Sequence, residues 1–488
     1  MEKLAIIGSG ISGSPIAYYL QDQYEVDVYE KSSRVGGHAH TLDLDTESII
    51  SHYTQVFFLT LLSLGSGYAQ EKRKLTLKEA IEMAVQNSTS AELATTKVKS
   101  AELALANTKN NQYPGAKISG QYMRLSSANV KSNLQSNSSS EPAAPLKVDQ
   151  LLLGQANVTM PIFSGFKLKN SIKTSESLYQ AETFAKKHSN EAIGLEVVEL
   201  FASLYKAQQM TLLIADNLKT AEQRVKDFTA MEENGLIARN DLLKAQLQVS
   251  NIKLALDNAK KNAAVANYQL ITLLKLPEST VVDIDIEAIK KDMAAHPYQK
   301  SEGERNDLKA LSLKKAAADS EIKVAKSNYY PSLALSGGYI ALDLNNVLTV
   351  TNAMNFGLGF SYDLSSIFKN GKQVQFAQSK AKETSLALEQ LNEQVKEEVF
   401  QASENYNLSL KQSAVYDEAV AQASENYRIV KDKYDNSLST TNDLLEADFE
   451  QLQAQINQAL SKADVAQKYY ELQFASGQLL NSLQLTQN

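Results

Sequence analysis

One long unit occurs twice in this chain, and each copy predicts the same order of elements. The segment YPGAKISGQY at 113–122 returns as YPSLALSGGY at 330–339. The segment NGLIARNDLLKAQ at 234–246 returns as NSLSTTNDLLEAD at 436–448. The copies lie about 200 residues apart, far more than the period of a solenoid repeat. Each copy predicts a helix, a strand, a loop, a strand, a very long helix, a tight turn and a long helix.

The predicted strands alternate apolar and polar residues. The apolar positions of Leu151–Pro161 are Leu152, Gly154, Ala156, Val158 and Met160. Those of Asn355–Tyr362 are Phe356, Leu358, Phe360 and Tyr362. Such a strand has one apolar face and one polar face, as transmembrane β-strands do. Half-buried strands of globular sheets share this pattern, so the interpretation depends on four such strands, two in each copy.

Four strands are too few to close a barrel. The smallest bacterial membrane barrels have about eight, and open sheet edges are not tolerated in lipid. We therefore expect the chain to share one barrel with copies of itself. Cyclic symmetry makes this natural, and three copies would supply twelve strands.

The long helices carry apolar residues at alternating spacings of four and three. The first seam is Ile193, Val197, Leu200, Leu204, Ala207, Ile214, Leu218, Ala221, Val225 and Phe228, broken once at Thr211. The second is Leu242, Ala245, Val249, Ile252, Leu256, Ala259, Ala263, Ala266, Leu270 and Leu273. This spacing predicts coiled-coil pairs, and the alanines allow close approach of the helices. A helix from Phe166 to Glu233 would be about 100 Å long.

The first fifty residues predict a different kind of protein. KLAIIGSGISGSPIAYYL is a strand, a glycine-rich turn and the start of a helix, and VDVYE is a second strand. The candidate residues for a dinucleotide are Gly8, Gly10, Gly13 and Glu30. The following RVGGHAHT resembles flavin-dependent amine-oxidase-like proteins. Residues 1–48 are too short to fold alone, so we expect a vestigial, truncated flavoprotein start joined to an exported protein, with no bound cofactor.

A signal-peptide-like segment follows at 49–69. Val56–Leu64 is an apolar run too short to span a membrane, and the small residues Gly67 and Ala69 precede a predicted cleavage between Ala69 and Gln70. The segment just before the apolar run lacks the usual basic residues. An export signal at this position is consistent with a fusion upstream of it.

From about Leu75 to Leu483 the chain resembles the TolC-like outer-membrane efflux family. The motifs that carry the resemblance are TMPIFSGFKLKNS, NGLIARNDLLKAQ, YYPSLALSGGY and YDNSLSTTNDLLEAD. It implies two repeats, at 70–277 and 305–488, with a connecting segment at 278–304. It also implies a homotrimer with one twelve-stranded barrel in the outer membrane and an α-helical barrel through the periplasm. The implied partners are outer-membrane lipid, a periplasmic adaptor and an inner-membrane pump.

Turns at 234–240 and 436–442 would form the periplasmic tip. Asp443 and Glu446 are three residues apart on one helix face, so threefold symmetry would give two rings of acid that attract cations. The resemblance implies that Asp443 and Glu446 correspond to the constriction acids of the family and that Tyr434 corresponds to its latch tyrosine. At the position of the family's latch arginine this chain has Ser439.

The two acids are not equally diagnostic of a gate. Thr440 and Asp443 also form a capping-box pattern, which predicts a structural role for Asp443. The first copy keeps Asp241 at the equivalent position but has Lys244 where Glu446 stands. We therefore expect Glu446 to be the more diagnostic of the two acids.

The composition excludes several classes of function. The chain has no Cys, five His without metal-ligand spacing, and a net charge of −7, which argues against nucleic acid. We expect a channel rather than an enzyme. Two alternatives stay open: an FAD-dependent oxidoreductase, from the N-terminal motif, and a periplasmic coiled-coil scaffold that transports nothing.

Overall fold

A computed structural model describes residues 3–7, 25–29, 71–130, 146–298, 305–345 and 347–485. The chain divides into two units, Met1–Gln70 and Glu71–Asn488. In the first unit, β1 (Lys3–Ile7) and β2 (Glu25–Tyr29) pair in parallel, as in the start of a βαβ unit. Outside the described residues lie the predicted signal peptide and the predicted cofactor residues Gly8, Gly10, Gly13 and Glu30.

The second unit contains the duplicated order that the sequence predicts. Its first half comprises β3 (Glu71–Leu75), α1 (Leu77–Asn87), α2 (Thr89–Asn110), β4 (Gly115–Val130), β5 (Leu146–Ser164), α3 (Lys167–Glu233), α4 (Arg239–Leu274), β6 (Thr280–Ile284) and α5 (Ile286–Ala295). Its second half comprises α6 (Asn306–Ser327), β7 (Ser332–Leu344), β8 (Leu348–Ser361), α7 (Ser366–Asp435), α8 (Thr441–Ala475) and α9 (Leu479–Ser482). The strands are longer than the alternating segments that predict them.

The four long strands form one antiparallel sheet in the order β4-β5-β7-β8. Directly opposed residues share a face, and the register separates apolar from polar rows. One row across the sheet is Ile118, Ala156, Tyr339 and Met354. The next row, on the other face, is Lys117, Asn157, Gly338 and Asn355. The predicted alternation is therefore a property of the whole sheet, whose outer strands β4 and β8 have free edges within the described part of the chain.

The long helices pair along the predicted seams. The α3 helix has 67 residues and packs against α4, with Ala221 and Phe228 of α3 and Leu242 of α4 all buried. At the break in the first seam, the Thr211 hydroxyl donates a hydrogen bond to the carbonyl of Ala207 at 2.8 Å. The 70-residue helix α7 pairs with α8 in the same way.

The order in which the helices lie side by side differs between the two ends of the long helices. Near the sheet the neighbours run α2, α3, α6, α7, and near the α3–α4 and α7–α8 turns they run α4, α3, α8, α7. The largest buried apolar cluster lies between these two zones, where β3 pairs in parallel with β6 and where Leu204, Tyr469 and Tyr470 are buried. No helix among the described residues is both long enough and apolar enough to span a bilayer.

Candidate functional site

The two turns at the end of the long helices are built alike and lie together. In each, an asparagine at the helix end donates from its side chain to the carbonyl four residues earlier, Asn234 at 2.7 Å and Asn436 at 2.8 Å. In each, the next residue is left-handed, Gly235 at φ 72° and Ser437 at φ 62°. The two repeats therefore place equivalent turns at one end of the helices.

The Asp443 carboxylate caps the first turn of α8. It accepts hydrogen bonds from the Thr440 amide at 2.9 Å, the Thr440 hydroxyl at 2.8 Å and the Ser439 hydroxyl at 3.0 Å. The amide of Asp443 donates in return to the Thr440 hydroxyl oxygen at 3.3 Å, so the predicted capping box is confirmed. These bonds, the Thr440 amide first, lower the pKa of the exposed Asp443 carboxyl. Asp443 therefore stays charged, and Ser439 is engaged with it.

Glu446 is different because nothing in the described part of the chain neutralises it. Its side chain is exposed and has no hydrogen bond or ion pair there. At the equivalent place in the first repeat, Lys244 lies 3.9 Å from Asp241 and donates to the Asn442 amide oxygen at 3.0 Å. The first turn therefore balances its acid with a lysine, whereas neither carboxylate of the second turn has an ion-pair partner among the described residues.

Tyr434 lies close to these acids in sequence but packs inside the chain. Its ring stacks on Phe228 of α3, with centroids 5.9 Å apart and planes 30° apart. Leu242 and Leu444 belong to the same apolar cluster. The Tyr434 hydroxyl is buried without a hydrogen-bond partner in the described residues. The structure thus joins α7 to α3 through this ring.

A buried ion pair that the sequence did not predict lies beside the acids. Arg224 of α3 donates to the Asp448 carboxylate of α8 at 2.9 Å and to the Tyr427 hydroxyl of α7 at 3.3 Å. Burial lowers the pKa of Arg224, but the hydrogen bond and charge of Asp448 outweigh it and raise the pKa overall. A signal was present, because the aligned position of the first repeat is the uncharged Gln246.

The site combines two exposed carboxylates, Asp443 and Glu446, with the packed rings of Tyr434 and Phe228. Within the described ranges, no set of three or more His, Asp and Glu side chains is arranged to hold a metal ion. The carboxylates of Asp443 and Glu446 can attract and order cations, since both are exposed on the first turns of one helix.

Two families match parts of the sequence. Residues 298–478 match the outer membrane efflux protein family. Residues 6–61 match the NAD(P)-binding Rossmann-like domain family, a range that includes most of the predicted apolar run of the signal peptide. No curated relative matches the chain at the level of sequence.

Several solved structures share the fold over most of the chain. The outer-membrane channel OprN has a TM-score of 0.68 and 15% identity, and the match covers 82% of this chain and 90% of OprN. VceC, an outer membrane protein from Vibrio cholerae, gives 0.66 and 16%, covering 82% of this chain and 96% of VceC. The CmeC outer membrane channel of Campylobacter jejuni gives 0.67 and 17%, covering 83% and 86%. At these identities the likeness shows a common fold.

Proposed function

We infer that this chain is an outer-membrane efflux channel of the TolC-like family, on the family match of residues 298–478 and the fold shared with outer-membrane channels. Its place is the outer membrane, with the helices extending into the periplasm. It is a conduit and not an enzyme, so its function depends on how the passage is formed and how it is closed.

The four-stranded sheet is the observation that supports the proposed function most directly. One of its faces exposes an apolar row in which Ile118 and Met354 are 87% and 81% exposed. A bilayer would cover that face, because apolar side chains face lipid in membrane barrels. The free edges of β4 and β8 then have to be paired within the membrane, which a second copy of the same strands can do.

The helices support assembly from copies, because both outer helices near the turns have a second apolar stripe. On α4 the stripe occupies an arc of about 60° opposite the seam with α3. It consists of exposed Leu243, Leu247, Leu254, Val265 and Tyr268.

The stripe on α7 lies on the side away from its packed face, which includes Val374 and Ala381. It consists of exposed Phe368, Phe376, Leu386, Phe400, Leu408, Val415 and Ile429. We propose that α7 of one copy packs against α4 of the next near the turns and against α2 near the sheet. A homotrimer would close both the helical barrel and a twelve-stranded β-barrel.

In such a trimer Asp443 and Glu446 would form two acidic rings at the periplasmic end. The rings would favour cations and would resist close approach of the three subunits through like-charge repulsion. We propose these rings as the gate, with Tyr434 holding the neighbouring helices in place.

The experiment is conductance and ion selectivity in a planar bilayer. The parent protein is expected to form pores that prefer cations. The double variant Asp443→Asn/Glu446→Gln is expected to lose most of that preference, because both ring charges are removed. Asn can still accept the Thr440 amide hydrogen bond, so the cap is retained.

Asp241→Asn is the matched control, because Lys244 already balances that acid. It is expected to change selectivity much less than the double variant. Unchanged selectivity in the double variant would remove these acids from the gate. A parent protein that extracts only as a non-conducting monomer would contradict the channel itself.

The proposed partners are a periplasmic adaptor and an inner-membrane pump. Both turns expose a leucine at the extreme end of the helices, Leu236 at 71% and Leu438 at 77% exposure. Apolar side chains displayed at a tip are suited to docking another protein. The pump would select the cargo, and the channel would conduct it.

The N-terminal family match favours a second candidate function for residues 6–61, dinucleotide binding. The parallel pair of β1 and β2 is compatible with it. Absorbance near 450 nm in purified protein would support a bound flavin. We propose that the segment is vestigial and expect no such absorbance.

A further inference from the structure

The part of the chain where helices join the four long strands carries an excess of positive charge. It comprises the segments 104–114, 165–175, 321–331 and 362–372. These segments contain only two acids, Glu321 and Asp363, but eight lysines. The lysines are all exposed, and none has an ion-pair partner within 4 Å among the described residues: Lys109, Lys167, Lys169, Lys173, Lys323, Lys326, Lys369 and Lys372. This level of the molecule therefore attracts anions.

Three aromatic rings continue the apolar face of the sheet onto the helices. Phe163, near the end of β5, is opposed to Leu333 of β7, which lies on the same face as Tyr339 in the exposed apolar row. The ring of Phe166 meets Phe163 edge-on, with centroids 5.2 Å apart, and meets Tyr330 at 6.2 Å. Membrane barrels carry such rings where the lipid chains end and the headgroups begin. The lysines beside these rings are therefore at the level of the headgroups.

The backbone of Phe166 indicates that its ring has a role outside the fold of one chain. Phe166 is left-handed, at φ 66°, a conformation that glycine adopts without penalty and that strains other residues. The residue is also 55% exposed. A strained and exposed phenylalanine contributes little to packing within the chain, whereas it is well placed to contact a lipid.

The lysines at the start of α3 lie on two different sides. Lys167 and Lys369 line a recess together with Ser332 and Ser361, which are opposed to each other on the polar face of the sheet. Lys169 follows Lys167 by two residues, a rotation of about 200° around the helix. Lys173 is about one turn beyond Lys169 and shares its side. Lys169 and Lys173 are therefore on the side that faces the lipid.

Lys169 lines a recess that is apolar on one side and cationic on the other. The recess has a volume of about 370 Å³ and lies between the end of α2, the end of β5 and the start of α3. Its walls include Gln112, Ile162, Phe163, Phe166, Lys169 and Ile172, and no carboxylate lines it. The volume is within the usual range for sites that bind small molecules. Such a recess is complementary to an amphiphile with a phosphate group, because the ammonium group can pair with the phosphate while the apolar walls contact the start of a lipid chain.

We propose that this recess binds an anionic glycerophospholipid of the membrane leaflet that faces the periplasm. Lys169 pairs with the phosphate, Lys173 adds a second positive charge, and Phe163 and Phe166 contact the glycerol end of the acyl chains. A lipid with net negative charge binds more tightly than a zwitterionic one, because the two lysines have no acid beside them in the recess. The inference rests on the proposed place of the chain in the outer membrane.

The test is native mass spectrometry of detergent-extracted protein with two short-chain probes, dioctanoylphosphatidylglycerol and dioctanoylphosphatidylcholine. The parent is expected to bind one phosphatidylglycerol per subunit, several-fold more tightly than phosphatidylcholine. Lys169→Gln/Lys173→Gln should weaken phosphatidylglycerol binding by roughly tenfold or more, because two charges near the headgroup are lost. Lys169→Arg/Lys173→Arg keeps both charges and should bind nearly as the parent does.

Lys167→Gln/Lys369→Gln is the matched control. It removes the same number of exposed lysines at the same level, but from the recess on the polar face, and it should bind phosphatidylglycerol as the parent does. Equal weakening in this variant and in Lys169→Gln/Lys173→Gln would show a general effect of charge and would overturn the proposed site. Parent-like binding in Lys169→Gln/Lys173→Gln would also overturn it.

Phe166→Gly tests the ring separately from the charges. The glycine relieves the left-handed backbone, so the protein should be at least as stable as the parent, while phosphatidylglycerol binding should weaken several-fold. Undiminished binding would contradict the role of the ring.

An arm with inorganic phosphate distinguishes a lipid from a free anion. Phosphate at the concentration of the lipid probe should not displace phosphatidylglycerol, because it lacks the apolar part; displacement would overturn the lipid as the ligand. A parent that neither forms a trimer nor conducts contradicts the proposed function. A conducting parent without preference for phosphatidylglycerol contradicts only this inference.

Discussion

At the scale of single residues, the two turns differ at the position that adopts a left-handed backbone. Gly235 occupies it in the first turn and Ser437 in the second. Glycine reaches this conformation without penalty, whereas a residue with a Cβ atom is strained there. The second turn, which lies beside Asp443 and Glu446, therefore has the less stable backbone.

Exchanging the residue types should reverse this difference. Gly235→Ala is expected to destabilise the first turn by about 1 kcal/mol, and only through the backbone, because no atom lies within 4 Å of the added Cβ. Ser437→Gly should stabilise the second turn by a similar amount. Hydrogen exchange of peptides that cover the two turns measures both effects. Equal exchange before and after both substitutions would contradict the argument.

A buried carboxyl half-way along the helices makes stability depend on pH. Glu191 is 4% exposed, and burial raises its pKa from 4.5 to about 7, although a hydrogen bond from Asn306 at 3.3 Å opposes the shift. The folded state then holds a proton that the unfolded state loses above pH 4.5. Stability should therefore fall between pH 4.5 and 7, by about 3 kcal/mol in all.

The variant Glu191→Gln removes this titration and keeps an acceptor for Asn306. At pH 8 it should be more stable than the parent by up to about 3 kcal/mol, and at pH 5 nearly equal to it. The denaturant midpoint at the two pH values is the measurement. A stability difference that does not depend on pH would show that Glu191 is charged in the folded protein.

At the scale of helices and strands, the outermost elements of one chain leave apolar surface and strand edges uncovered within the described residues. The α4 helix buries one apolar stripe against α3 and exposes a second on its opposite side, and β4 and β8 have free edges. An inner helix such as α3 has neighbours on both sides instead. A ring of identical subunits requires such uncovered apolar stripes and strand edges on the outermost elements, because these contact the neighbouring subunits.

The α4 stripe should hold subunits together rather than hold the chain folded. Leu247→Asp/Leu254→Asp places charges on two exposed positions, so each chain should still fold. The trimer should be lost or weakened, because each leucine buried between subunits contributes about 1.5–3 kcal/mol. Migration of unheated samples in a denaturing gel reports the assembly. Leu212→Asp, at an exposed position of α3, is the control and should leave the trimer intact.

At the scale of the whole molecule, the chain combines two units with unrelated sequence patterns. Residues 6–61 match a nucleotide-binding family, and residues 298–478 match an outer-membrane family. The proposed place in the outer membrane requires export, and in the sequence the signal-like segment at 49–69 ends where the second unit begins. We propose that export removes everything before Gln70.

N-terminal sequencing of protein extracted from membranes tests this. The expected first residue is Gln70, because Gly67 and Ala69 are the small residues that signal cleavage needs. An N-terminus at Met1 would contradict the proposed cleavage and would leave residues 1–69 attached to the rest of the chain.

The sequence predicts the long helices and the long strands of each copy and their order, whereas β3, β6, α5 and α9 were not predicted. Alternation with a period of two gave the strands, the four-three spacing gave the helix pairs, and the repeated turns gave the tip, since these signals depend only on residues near one another in the chain. The capping role of Asp443 was also predictable, because Thr440 is only three residues away.

Contacts between residues far apart in the sequence depend on the tertiary structure. The pairing of Arg224 with Asp448, the packing of Tyr434 on Phe228 and the burial of Glu191 join residues from different helices or depend on how those helices pack. No local pattern encodes such contacts, because a polar residue on a helix is exposed or buried according to its neighbours in space. The partners of Arg224, Tyr434 and Glu191 were for this reason not predictable from the sequence.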